Sequence, residues 1–502
     1  MKNLFYRIFL FTAVLLTSCS DESGNIEPVK EGTEITKFYF LKSDNGNLPY
    51  DIYLDIEDKY ISERMPLGVD VNKLVATFEH NGSDVFVNNI EQVSSTTSND
   101  FSDVLNYTVK TADGAEGKYE VDLTKFTGLP IIYINTTGGE PIDSKEDYRT
   151  GSISIDGGRY FDNFIETDMK IRGRGNSTWW VHPKKPYQLK FGDKTEMLGM
   201  PEDKKWIFLA EYSDKTLMRN TIAFEMGYLS KLDWTPESVF AEVVVNDEYN
   251  GTYNISQKVE ESNNRVALGD TGYLLEIDQL DRLDPDDVFF RTNSFLINIK
   301  EPGLDYNSNE YTYIDELINE FENTLMGDQF TDPDVGYAKY IDIDSFIDWY
   351  LISEITKNQD SRSFSSIFLN VMPGEKIKMG PLWDFDLAFG NVNYSECEFP
   401  TGFWVKYHPW FNRLFEDEAF VVKVKERFAY FKQNQNFILD KMDFYAEQLK
   451  WAQMENDAKW DLFGNYVWPN PVVFDSHGEE VEHLKSWYIE RMNWLDSAYG
   501  SL

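Results

Sequence analysis

Cysteine is almost missing from this chain of 502 residues, which has only Cys19 and Cys397. A disulfide framework needs paired thiols, and a cysteine-ligated zinc site needs several close together, so neither is available. Histidine is nearly as scarce. The five imidazoles (His80, His182, His408, His477, His483) are scattered and never take the HExxH spacing of a zinc hydrolase. Positive charge is short too: 47 Lys and Arg stand against 86 Asp and Glu, a formal net charge of −39. Binding along a nucleic acid requires a basic stripe that neutralises phosphates. The sequence has none large enough, which removes nucleic acid as a main partner. The acidity keeps the chain soluble and draws cations or basic partners. The N-terminal apolar run, residues 8–16, is too short to span a bilayer.

That run nevertheless carries information. Lys2 and Arg7 precede or open it, and Leu16-Thr17-Ser18-Cys19 follows. This order reads as a signal peptide over residues 1–18 that ends in a lipobox, with Cys19 acylated and first in the mature chain. The acidic stretch Ser20-Asp21-Glu22-Ser23 is similar to the export tags of Bacteroides-type surface lipoproteins. The expectation is a lipid-anchored protein of the cell envelope, at the outer membrane and surface-exposed.

Residues 19–34 are polar, with Gly24, Pro28 and Gly32, and read as a linker. Residues 35–127 hold short runs of β-branched and aromatic side chains, such as Ile35-Thr36-Lys37-Phe38-Tyr39-Phe40 and Leu105-Asn106-Tyr107-Thr108-Val109. Breaks at Asn45-Gly46, Asn81-Gly82 and Ala112-Asp113-Gly114 separate them. This spacing predicts an all-β, Ig-like sandwich that serves as a spacer, or binds a ligand. A second domain is expected over residues 128–502. Its front half mixes strands and helices. After residue 310 a helical period takes over: Ile314, Leu317, Ile318, Phe321 and Leu325 share one stripe, and Val481, Leu484, Trp487, Tyr488, Arg491 and Leu495 another. A strand-rich half against a helix-rich half makes an α+β domain with a cleft between.

Three constellations carry chemistry. The first, residues 169–191, is a strand, a turn with Gly173 and Gly175, and a second strand that holds Lys190. Glycines let backbone N–H groups approach an anion, and Arg172, Arg174, Lys184 and Lys185 add positive charge. Kinases place such an element over ATP phosphates; the other reading is a basic surface hairpin. The second is Asn358-Gln359-Asp360 after an apolar helix. Asp360 there can accept a proton from a substrate hydroxyl, or merely cap the helix. The third is 380–391, GPLWDFDLAFGN. Asp384 and Asp386, two apart in an extended stretch, face one side, and their mutual repulsion asks for a divalent cation or for hydrogen-bond donors.

These segments resemble the CotH family of spore-coat-type atypical protein kinases. The likeness runs from about residue 129 to the C-terminus. It rests on RGRGNSTW (172–179), KKPYQLKF (184–191), SDKTLMRN (213–220), the Glu242–Tyr253 strand pair with Asn246 and Gly251, GYLLE (272–276), KNQDS (357–361) and GPLWDFDLAFGN. The resemblance implies a protein-kinase-like fold that uses ATP and Mg²⁺ or Mn²⁺ to phosphorylate protein Ser residues. Its substrate would be basic and Ser-rich. Carried over, Asp360 is the catalytic Asp, Asp384 the metal Asp with Asp386 beside it, and Lys190 the nucleotide Lys. Gly173, Arg174 and Gly175 lie near the phosphates, and Glu225 is the acidic partner of Lys190.

The chain departs from the kinase pattern at one point. The stretch after Asp360 offers no Asn until Asn370, where kinases place a second metal ligand a few residues on. Two other readings stay open. One is a non-catalytic surface lipoprotein that binds a glycan or protein through the same cleft. The other is a glycoside hydrolase built on paired carboxylates.

Overall fold

The computed structural model describes residues 31–66, 69–158 and 160–502. The expected signal peptide over 1–18, the expected lipidation site Cys19 and most of the expected linker lie outside the described residues. Contacts divide the chain into one unit built on Val69–Lys125 and the residues up to Met65, and a second built on Phe126–Leu502. Among the described residues no helix is long and apolar enough to cross a membrane.

The first unit is all-β, as expected, apart from a single-turn helix at Val71–Lys73. Alternation drives it: in the strand Glu116–Phe126, Tyr119 and Val121 are buried while Lys118 and Glu120 are exposed. A three-stranded and a six-stranded sheet, with a two-stranded ribbon, enclose a core around Phe38, Phe40, Phe78, Phe101 and Tyr107. Most of its ring pairs meet edge to face, as for Phe38 and Tyr107 at 5.1 Å, while Phe38 and Phe78 stack.

The second unit opens with a closed seven-stranded barrel. Its strands are β1 (Ile131–Thr136), β2 (Arg149–Asp156), β3 (Phe164–Gly173), β4 (Tyr187–Met197), β5 (Met200–Leu209), β6 (Ser238–Val245) and β7 (Glu248–Gln257). Neighbours pair antiparallel except β1 with β6, which run parallel and close the barrel. Helix α1 (Arg219–Tyr228) connects β5 to β6. The strand period of two sends Ile171, Leu189, Trp206 and Phe208 into the barrel. The opposite face of β5 and β6 presents Ile207, Leu209 and Phe240 to a second core shared with the helices. One wall thus serves two cores, and a side chain two residues further along a strand stays on the same side of it.

A five-stranded sheet follows: β8 (Tyr273–Asp278), β9 (Val288–Arg291), β10 (Leu296–Glu301), β11 (Ile367–Val371) and β12 (Lys378–Met379), in the order β9-β10-β8-β11-β12. Helices α2 (Asn309–Met326) and α3 (Ile343–Ile355) lie in sequence between β10 and β11. The C-terminal part is helical, with α4 (Glu418–Gln433), α5 (Gln435–Gln448), α6 (Ala452–Trp460) and α7 (His477–Gly500). The apolar stripes read in α2 and α7 are the faces these helices bury. The α+β class expected for this region is the one observed. The helical half is not purely helical, however, because β11 and β12 return to the sheet and deliver residues 380–391.

Candidate active site

The glycine turn at the end of β3 is a tight structure. A side chain at Gly173 would collide with the Trp179 ring at 2.3 Å, and Gly175 has a φ of 81°, so both positions require glycine. Lys145 Nζ donates to Gly175 O at 2.8 Å and to Asn176 Oδ1 at 3.2 Å, pinning the turn. The four cations read as one basic patch then separate. Lys184 is fully buried and donates to Thr252 O and to Asn456 Oδ1. Lys185 satisfies the carbonyls of Trp179 and His182, each at 2.6 Å. Arg172 stacks on Tyr148. Arg174 alone lies over Trp383, 5.5 Å from the ring centre. Burial lowers its pKa, while the charges of Asp384, Glu276 and Asp386 act to raise it.

Lys190 does not join that arrangement. It alternates with the inward-facing Leu189 and Phe191, so β4 presents it on the outer face, opposite Lys170 and Lys205. There it lines a groove of about 810 Å³ with Glu166, Asp168 and Lys170. Among the described residues it makes no ion pair with Asp360, Asp384, Asp386 or Glu225. The expected partner of Lys190 is also engaged elsewhere. Glu225 accepts from Lys441 Nζ at 2.9 Å and from the Tyr445 hydroxyl. The residue of α1 that reaches the third constellation is Asn220. Its Oδ1 accepts from the Phe385 backbone N–H at 2.6 Å, and its Nδ2 donates to Glu211 at 3.1 Å.

The acidic segment is not the extended stretch expected. Asp384 has a φ of 66°, a left-handed turn that breaks strand alternation. Its carbonyl accepts from Asn358 Nδ2 at 3.0 Å, and its carboxylate accepts from Ser366 Oγ at 3.2 Å. The second constellation meets the third at this point. Helix α3 ends because Lys357 is left-handed, with a φ of 48°, and Asn358 and Asp360 then turn towards Asp384.

The electrostatics are one-sided. Burial, then the Asp384 charge, push the Asp360 carboxyl up to about 7, against the opposing pull of Arg282 and a hydrogen bond from Ser365. Burial and the charges of Asp384, Glu211, Asp360 and Asp214 drive Asp386 well above the usual carboxylate range. Glu276 on β8 rises to about 7 through burial, although Lys300 stands 3.6 Å away. Glu211 rises to about 8, chiefly through burial. Buried carboxylates that raise one another mark a site short of positive charge. Asn358 Oδ1, beside Asp384, is buried and has no hydrogen-bond partner among the described residues. Two carboxylates and a free amide oxygen suit a hard divalent cation that takes its remaining oxygens from phosphate and water. Among the described residues no three His, Cys, Asp or Glu side chains form a complete cage for a metal ion. The donor set is an open one, and a cation held by it would take most of its oxygens from outside the chain.

Sequence reasoning missed Glu276, Lys300, Asn220 and Asn358 as site residues. All but Lys300 lie in the motifs GYLLE, SDKTLMRN and KNQDS, and that was the available signal. Asn370, the first Asn after Asp360, is committed to Gly380 O at 3.0 Å from within β11.

Residues 35–123 match the family model described as SGBP, N-terminal. A solved structure from Bacteroides thetaiotaomicron, provisionally named a glycoside hydrolase, aligns at 13% identity over 58% of this chain and 89% of that one. Its TM-score of 0.17 is too low for the likeness to bear on fold or function. No curated protein matches the chain. The model for the CotH kinase protein matches residues 171–495, a span that takes in the glycine turn, α1, Glu276, Asp360 and the Asp384 segment, and on that match the chain belongs to the CotH kinase protein family.

Proposed function

We infer that this chain is an atypical protein kinase of the cell envelope, anchored through acylated Cys19, that transfers the γ-phosphoryl group of ATP to Ser hydroxyls of a basic, Ser-rich protein. The observation that carries this reading is the meeting of Arg174, from the glycine turn, with Asp384, Asp386 and a carboxyl at Asp360 poised near neutrality. Phosphoryl transfer asks the protein chiefly to position its reactants and neutralise charge. Arg174 supplies a cation towards the phosphates, and Lys145 holds the turn that carries it. Asp360 takes the proton of the Ser hydroxyl as its oxygen bonds to the γ-phosphorus and the bond to ADP breaks. A carboxyl near pH 7 suits this task, because it is ionised often enough to accept the proton and basic enough to keep it. Asp384, Asp386 and Asn358 Oδ1 would hold the divalent cation, which when bound offsets the charge of the phosphate oxygens.

The test is incubation of the chain with labelled ATP, Mg²⁺ or Mn²⁺, and a basic Ser-rich acceptor. Label should reach Ser in the wild type, and Asp384→Asn should lower the rate by about 100-fold or more. Equal, negligible turnover by both proteins would sink the kinase reading and leave a non-catalytic module that binds a glycan or protein.

A further inference from the structure

The segment after the acidic pair makes two turn hydrogen bonds of its own, Cys397 N–H to Tyr394 O at 3.3 Å and Phe399 N–H to Glu396 O at 3.4 Å, and is otherwise held by buried side chains behind it. Lys357, three residues before Asp360, is 3% exposed. Its ammonium has three donors and finds three carbonyls, Glu396 O at 2.7 Å, Phe399 O at 2.9 Å and Thr401 O at 2.7 Å. Arg491 of α7, fully buried, donates to Pro400 O at 3.0 Å and Gly402 O at 2.6 Å, and is itself paired with Glu354 at the end of α3. Trp487 of the same helix donates to Glu398 O at 2.8 Å. The carbonyls of Glu396, Glu398, Phe399, Pro400, Thr401 and Gly402 thus all accept from side chains behind the site. The segment turns on Ser395 and Glu396, two left-handed residues with φ of 62° and 57°. It carries Tyr394, whose phenol feels the charges of Asp360 and Asp386. It closes on Trp404, whose indole donates to Gln359 O at 3.0 Å.

In protein kinases the segment after the metal-binding Asp is commonly ordered by its own phosphorylation, through Arg side chains that pair with the new phosphate. Here the two cations that meet the segment's carbonyls, Lys357 and Arg491, are buried and already engaged by those carbonyls and by Glu354, and Arg362 stacks on Trp404. We propose that Lys357 is a positioning residue that locks residues 394–402 against the Asp360 turn, so that the site is assembled without phosphorylation of this segment. The proposal rests on the kinase reading. The exposed hydroxyls of the segment, Ser395 and Thr401, have no regulatory part in it.

The test uses the full chain and two readouts. In Lys357→Met, hydrogen exchange over residues 391–404 rises by about tenfold or more while α3 stays protected; unchanged exchange overturns the lock. If this variant does not fold, Lys357→Gln, which keeps two donors, decides the same question by the same comparison. In phosphoryl transfer, Lys357→Met lowers kcat by about tenfold or more with KM for ATP within about threefold; a kcat equal to wild type overturns the positioning role. Phosphatase-treated wild type and the Ser395→Ala/Thr401→Ala double variant keep kcat within about twofold. A loss in either overturns independence from phosphorylation. Absence of transfer by the wild type would defeat the kinase reading alone, and the exchange result would still decide the lock.

Discussion

Asp360 ties activity and stability to pH in opposite directions. Its carboxyl sits at about 7 because it is buried beside Asp384, above the ordinary carboxylate value. The folded chain therefore holds a proton that the unfolded chain releases. The stability this gives is fully present below the ordinary value, and it is lost as pH rises through about 7. Proton acceptance needs the opposite state, so transfer should rise from pH 6 to pH 8. Asp360→Asn should abolish transfer and, at pH 8, gain about 1–4 kcal/mol in urea unfolding. A variant no more stable than wild type would show that Asp360 is not strained by its charge. The two cations separate in the same way. Arg174→Met should lower kcat/KM by about 100-fold, and Lys190→Met by less than about threefold. Arg174 was legible because a cation inside a glycine turn has few places to go. Lys190 was misplaced because strand alternation allows either face, and the closure of the barrel decides which one. The role of Asn358 was hidden in a left-handed turn at Lys357 that nothing in the residue types announces.

Helix α1 shows the same division one level up. The motif SDKTLMRN leads into it, but the residue types do not single out the position that meets the site. Residues Arg219 to Gly227 are all buried, so the helix has no exposed face against which a stripe could be read. Glu225 was chosen by analogy with an acidic partner for Lys190, and Lys441 and Tyr445 take it instead. Asn220 does the connecting work, holding the Phe385 N–H and Glu211 together. Asn220→Ala should cost about 1–3 kcal/mol, since it leaves a buried N–H and a buried carboxyl unmatched, and should cut kcat by about tenfold through the displaced Asp384 segment. Glu225→Gln should cost no more than about 1 kcal/mol and leave kcat within about twofold. Thermal melts and initial rates on the two proteins check both. The reverse ranking would restore Glu225 to the site and remove Asn220.

At the scale of the whole chain, the front-to-back order of strands then helices was readable because the hydrophobic period changes from two to 3.6 after residue 310. Barrel closure was not. It depends on the parallel pairing of Ile131 to Ile134 with Glu242 to Val245, and no local pattern marks partners that far apart in sequence. The division into an all-β unit and a larger α+β unit has an energetic counterpart. The core of the first, around Phe38 and Tyr107, shares no member with the two cores of the second. Each unit therefore has a core of its own, as a separately folding domain requires. Every residue assigned to the site, from Lys145 to Tyr394, belongs to the second unit. A protein of residues 126–502 should then melt cooperatively and keep kcat/KM for ATP within about twofold of the full chain. Calorimetry of the full chain should show one transition that the shorter protein lacks. A shorter protein that folds but loses transfer would mean that the first unit completes the site, and the assignment of the chemistry to the second unit alone would fall.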